Sequence, residues 1–289
     1  MTATVTYQVG GLTFGEDAPV IDATGCAWVV QNEEGWSGSP DVRMVGADRP
    51  RAHGALDGQS YLSGRSILLT CRVTAPDDAR LRAALRTLAA ALADGAGLSR
   101  LVVTEPGTVH QAMVRRADAI EPRRGDPASA TFTLALFAPD PRRYEATATQ
   151  VATGLPTAST GIAFPVSFPL SWPAGSTTGQ VVADNTGTAD TFPTFTITGP
   201  CVAPRITVVS TGAVLALSTS LAAADVLVID CAAGTVVLNG AASRRADLTA
   251  GSAPVASITL PPGPSTLLFR ASSSPGGATL TTTWRGASW

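Results

Sequence analysis

The sequence predicts a mainly β chain of two domains: an N-terminal β-sandwich-like domain carrying one amphipathic helix, and a C-terminal β-sandwich of jelly-roll type. Three observations lead there. Short runs of alternating or β-branched residues, cut by turn residues, recur along the chain. Only one stretch has helical periodicity. Charge is uneven: residues 1–145 hold fifteen Arg and seventeen acids, residues 146–289 only five of each. Two differently built surfaces follow, and the boundary falls between Asp140 and Thr157, where an apolar run ends in Pro and an Ala-, Thr- and Gly-rich segment begins. The domains are therefore drawn as 1–145 and 146–289.

In the first domain, Arg43 to Gly64 is rich in Gly, Pro and polar residues and reads as a long excursion or extended hairpin, of the kind that serves contacts. Arg65 to Val73 then alternates Ile67, Leu69, Cys71 and Val73, the period of a half-buried strand. Leu81, Leu85, Leu88 and Leu92 recur at helical spacing, with Arg80, Arg82 and Arg86 off that stripe, which predicts a helix over 76–94. Thr74 and Asp77 suit its start, Pro76 its first turn, and Gly95 the left-handed position after its end. Further strands are read at Leu101–Thr104, Thr108–Ala119 and Ser129–Phe137.

The second domain has no helical run. Strands are read at Val181–Asp184, Arg205–Val209, Val214–Leu217, Val226–Asp230, Thr235–Leu238, Thr266–Phe269 and Thr279–Trp284. Cys231 to Gly234 closes one hairpin, and Asn239 with Gly240 supplies the next turn.

Composition limits the chemistry. With 45% hydrophobic and 15% charged residues, the 289-residue chain can bury two sizeable cores. Polar or turn residues interrupt every apolar stretch well before the roughly 18 residues that a membrane span needs, so no membrane is expected as a partner. Met1 to Gly11 lacks the basic start and apolar run of a secretory signal, and folding in the cytoplasm of the producing cell is expected. A net charge of −2, with Arg interspersed among acids, supplies no polycation for nucleic acid. All twenty basic residues are Arg; without Lys there is no phosphate-binding P-loop lysine and no Schiff-base amine.

Candidate sites are sparse. His53 and His110 are too few for most zinc sites. Gly35-Trp36-Ser37-Gly38-Ser39 lacks the closing Gly of a nucleophile elbow and reads as a turn containing an aromatic residue. Cys26, Cys71, Cys201 and Cys231 lie in or beside apolar runs without C-x-x-C spacing and read as buried free thiols. Asp184, Asn185 and Asp190 bracket a turn, to be read either as calcium ligands or as an ordinary polar turn, the second being the simpler. Trp28 and Trp284 lie in strand-like runs and read as packed; Trp36, Trp172 and Trp289 have polar, Pro or Gly neighbours, and while an exposed one could stack on a sugar or anchor a partner, core or subunit contact is the simpler reading. No catalytic residue, cofactor or metal is assigned, and the chain is expected not to be an enzyme.

The order of these features resembles the distal tail (minor tail) proteins of siphophages. The resemblance rests on GRSILLTCRV (Gly64 to Val73), the helix after it, and TFTLALFAPDPRRY (Thr131 to Tyr144). In the second half it rests on IAFPVSFPL (Ile162 to Leu170), DNTGTADTFPTFTITGP (Asp184 to Pro200), DVLVIDCAAGTVVLNG (Asp225 to Gly240) and TLLFRASSSPGGATLTTTWR (Thr266 to Arg285). It implies a ring-forming N-terminal domain, a galectin-like C-terminal sandwich, and a hexameric ring joining tail tube to tail-tip, baseplate or fibre proteins. Asp140, Pro141 and Tyr144 are then read as a structural corner joining the domains. The alternative is a carbohydrate-binding adhesin or lectin-like module. Galectin-type sugar binding does not carry over, because residues 146–289 contain neither His nor Glu.

Overall fold

The structure is a computed structural model that describes residues 4–92, 97–156 and 179–289. Their contacts divide them into two compact units, Met1–Ala146 with Trp289, and Thr147–Ser288.

In the first unit the strands are β1 (Thr6–Val9), β2 (Leu12–Gly15), β3 (Val20–Ile21), β4 (Ala27–Glu34), β5 (Val42–Arg43), β6 (Gly46–Asp48), β7 (Ala55–Asp57), β8 (Tyr61–Leu62) and β9 (Arg65–Thr74). After the helix α1 (Asp78–Ala90) come β10 (Ser99–Glu105), β11 (Thr108–Arg116), β12 (Arg123–Asp126), β13 (Ser129–Ala138) and β14 (Arg143–Glu145). The sheet runs β12-β13-β9-β4-β2-β1-β10-β11-β14. It also closes on itself, because β11 pairs with β13 through Arg115↔Phe137 and Arg116↔Leu136. Closure protects sheet edges that would otherwise offer unpaired backbone groups to any passing strand.

Alternation decides which side faces in. Along β9, Arg65, Ile67, Leu69, Cys71 and Val73 are buried while Ser66, Leu68 and Thr74 are exposed. With Phe14, Trp28 and Phe132 they fill the interior, where Phe14 meets the Trp28 ring edge-on at 5.7 Å and Phe132 at 6.3 Å. The helix is shorter than the expected 76–94. Asp77, not Thr74, is its cap: the carboxylate accepts from the Arg80 amide at 2.8 Å, and Pro76 lies before the cap. At the other end Leu92 itself takes a positive φ of 57°, two residues past the helix, while Gly95 lies outside the described residues. Leu81, Ala84 and Leu88 are buried and Leu85 packs against the same core, so the leucine stripe does face the sheet.

The second unit holds two larger sheets. One orders Thr149–Gly154, Thr279–Trp284, Thr194–Thr198, Val226–Asp230, Thr235–Leu238 and Ala242–Ser243; the other orders Gln180–Asn185, Gly263–Arg270, Arg205–Val208 and Ala213–Ala216. Every pairing in both is antiparallel. Phe195, Ile197, Leu227, Ile229 and Leu280 of the first sheet share one core with Ile206, Val208, Leu267 and Phe269 of the second. The two turns read from sequence form as expected on physical grounds. Gly234 has a φ of 67° between the paired residues Asp230 and Thr235, and Asn239 and Gly240 have φ of 50° and 73° in the following turn.

Leu88 is fully buried under the helix, so Leu88→Ala is expected to lower the unfolding free energy by about 2–5 kcal/mol. The exposed Arg86→Ala is expected to stay within about 0.5 kcal/mol. Urea unfolding followed by far-ultraviolet circular dichroism measures both.

Candidate functional site

Period-two alternation places Arg65 in phase with Ile67 and Leu69, so its side chain enters the interior, and it is only 1% exposed. A buried guanidinium needs acceptors. Here carbonyl groups supply them: Arg65 Nη1 shares its two hydrogens among Gly35 O at 2.7 Å, Trp36 O at 3.0 Å and Gly38 O at 2.6 Å, and Nε donates to Pro141 O at 2.9 Å. Burial, then repulsion from Arg143, presses the guanidinium down to about 10, which leaves it charged at neutral pH. Three segments distant in sequence are thereby fastened together.

The 33–38 turn is held from its other side as well. Glu33 accepts from the Trp36 amide and from the Ser37 hydroxyl, the latter at 2.9 Å. Gly35 has a φ of 91°, and a Cβ there would stand 2.0 Å from Ser66 O, so only glycine lets the turn lie against β9. The resulting Trp36 is fully buried, with the Arg143 guanidinium 5.8 Å from its ring centroid. Trp36 is therefore a core residue, the simpler of the two readings its sequence allowed, and it is not available to stack on a sugar or anchor a partner.

Asp140, Pro141 and Tyr144 are brought together within the first unit. Asp140 Oδ2 accepts from the Tyr144 hydroxyl at 2.6 Å, and Oδ1 accepts from the Arg142 amide at 3.1 Å. Burial first, and the bond to Asp140 second, push the Tyr144 hydroxyl above its usual range.

Between Gly38 and Arg65 the chain forms a two-stranded arm. Val42 and Arg43 pair with Leu62 and Tyr61, and Gly46–Asp48 pair with Ala55–Asp57. Val42, Met44, Val45, Leu56 and Tyr61 are all exposed, Met44 by 79%. The Arg43 guanidinium lies 5.7 Å from the Tyr61 ring centroid. So much exposed apolar surface on a ribbon too thin to bury it marks an interaction surface.

The remaining candidates form no reactive constellation. Among the described residues no three His, Cys, Asp or Glu side chains gather to hold a metal. His53 is exposed near the arm's tip, and His110 Nδ1 lies 3.7 Å from the Glu105 carboxylate. All four cysteines are buried free thiols, and burial pushes Cys71 and Cys231 up to about 12. Asn185 spends its amide on Ala189 O at 2.8 Å and Leu260 O at 3.0 Å, while Asp190 accepts from Thr259 at 3.2 Å. That is a fastened polar turn. Trp28 and Trp284 are buried, Trp289 is 36% exposed, and Trp172 and Ile162–Leu170 lie outside the described residues.

Residues 186–286 match the family model of the siphovirus-type tail component, C-terminal domain. No curated protein matches the chain. In fold the chain is similar to the crystal structure of the SPP1 Dit (gp 19.1) protein, described as a paradigm of hub adsorption apparatus in Gram-positive infecting phages. That likeness has a TM-score of 0.66 at 16% identity and covers 96% of this chain and 98% of that one. It is also similar to a chain of the phage P2 baseplate in its activated conformation with Ca, at a TM-score of 0.51, 8% identity and 98% coverage of both chains. The resemblance to siphophage distal tail proteins read from the sequence is borne out by the family model in the second domain and by the fold of nearly the whole chain.

Two outcomes are expected at this site. Arg65→Lys keeps a charge but not the fork that spans carbonyls of separate segments, and is expected to lose about 1.5–3 kcal/mol in urea unfolding. In an alkaline absorbance titration, Tyr144 and the similarly buried Tyr7, whose hydroxyl donates to Glu16 at 3.1 Å, are expected to ionise only as the protein unfolds. The sign follows from linkage: a raised folded value contributes stability that is fully present below the unfolded value of about 10 and is lost above it.

Proposed function

We propose that the chain is a structural protein of a siphophage tail, a distal tail hub adaptor that sits at the tail tip of the virion and has no catalytic role. Residues 1–145 form the ring, six copies to a turn, and residues 146–289 act as a docking module. One side of the ring takes the tail tube protein, the other the tail-tip, baseplate or fibre proteins. The Asp140–Pro141–Tyr144 corner stiffens the point at which the chain leaves the first unit and so joins the domains. Synthesis in the cytoplasm of the host bacterium belongs to the same reading.

The observation that carries it is the arm. A monomer gains nothing from exposing Val42, Met44, Val45, Leu56 and Tyr61, whereas a repeated contact between copies would bury them. The family-model match over residues 186–286 and the likeness in fold to a phage adsorption-hub protein support the tail assignment. A lectin reading draws less support. Of its aromatic candidates, Trp36 is buried and Trp289 already lies beneath the Arg142 guanidinium, 5.3 Å from its ring centroid.

Light scattering across a concentration series, with negative-stain imaging, is expected to find a closed ring of about six copies. Replacing Met44–Gly58 by a short Gly-Ser turn is expected to leave the melting transition in place and abolish the ring. An arm-deleted chain that still closes rings would remove the arm from this reading.

A further inference from the structure

The tip of the arm carries unbalanced positive charge. Asp48, Arg49, Pro50, Arg51, Ala52 and His53 connect its strands, and neither Arg49 nor Arg51 makes an ion pair among the described residues. The arm is long: seven residues from Val42 to Asp48 reach at most about 23 Å at roughly 3.3 Å per residue. A ribbon of that reach delivers its tip to a surface well beyond its own feet.

Elsewhere on the same unit is an open groove of about 500 Å³ lined by Thr70, Asp118, Glu121, Arg123, Thr131 and Thr133, together with Ala119 and Phe132. Its floor is the outer face of β9 and β13, where Thr70 stands opposite Thr133, and its wall is the loop between β11 and β12. Two carboxylates face one guanidinium here, and neither Asp118 nor Glu121 is in an ion pair among the described residues. No residue of the arm lines the groove. Its threonine hydroxyls and carboxylates are acceptors, and the carboxylates have the sign that a guanidinium takes up.

Resting on the ring reading above, we propose that the groove receives the arm tip of a second copy of this chain, with Arg49 and Arg51 seated against Asp118 and Glu121. Tip and groove are different surfaces, so the contact is heterologous and repeats head to tail, as closing a ring requires. Apolar side chains along the arm supply buried area, and the tip-to-groove charges fix the register in which copies join.

Charge reversal at each surface tests this. R49E/R51E and D118R/E121R change only exposed side chains, and thermal melting is expected to match the parent. By light scattering, each pair of changes is expected to raise the concentration for half-assembly at least about tenfold, because like charges then oppose across the contact. Chains carrying all four changes, with the polarity exchanged, are expected to assemble as the parent does. A parent chain that forms rings while both reversals also form them at unchanged concentration overturns the tip-to-groove contact and leaves the ring. Weakening by each pair without recovery in the fourfold variant overturns it as well. A parent chain that stays monomeric throughout overturns the ring, and the contact with it.

Discussion

The first domain is organised around one buried cation. Arg65 stands at the first position of its strand with four carbonyl bonds, to Gly35, Trp36, Gly38 and Pro141, and no carboxylate within its set of partners. Desolvating a guanidinium is costly, and peptide dipoles converging from several segments offset that cost only while all of them stay in place. The consequence for function is geometric. Gly38 and Arg65 are the two feet of the arm, so the guanidinium that clamps the interior also fixes the base from which the arm projects. The same group holds Pro141 as the chain approaches the end of the unit. A side chain with no chemistry of its own thus sets the positions of the arm and of the Asp140–Tyr144 corner.

The proposed hub role calls for rigid surfaces, and the two units are made rigid by different means. The first wraps its sheet until β11 meets β13 and fills the inside with Phe14, Trp28 and Phe132 beside one helix. The second stacks two antiparallel sheets and spends its polar residues on turns such as the one fastened by Asn185. Charge is concentrated on the first unit, where copies are proposed to meet, and scarce on the second. Long-range charge speeds association and sets register, while buried apolar area provides most of the holding energy. An arm that carries both kinds of residue divides the tasks along its length, with its exposed large apolar side chains on the stem and Arg49 and Arg51 at the tip.

Much of this was legible one residue at a time. The strand at Arg65, the leucine stripe, the hairpin at Cys231–Gly234 and the Asn239-Gly240 turn follow from local periodicity and backbone preference, which act over a few residues and are written in order along the chain. Even Arg65 left a trace, since the alternation that buries Ile67 and Leu69 buries every second residue before them. Trp36 stayed open to two readings because its neighbours Gly35, Ser37 and Gly38 are polar or small, and neighbours in sequence do not reveal that the ring is fully buried with the Arg143 guanidinium beside it. The helix end misled for a similar reason, because Leu92 turns left-handed before Gly95 is reached.

The sequence by itself therefore determined the class of fold, the amphipathic helix of the first domain, the absence of lysine chemistry, and the siphophage-tail resemblance. Those depend on composition and on interactions between residues close along the chain. Only the tertiary structure decided that the first sheet closes, that Arg65 binds carbonyls 27 to 76 residues away, and that an apolar arm projects between its clamped feet. Such facts depend on which distant segments share one desolvated space, and that is settled when the chain packs, because most buried polar groups then take their partners wherever the fold has brought them.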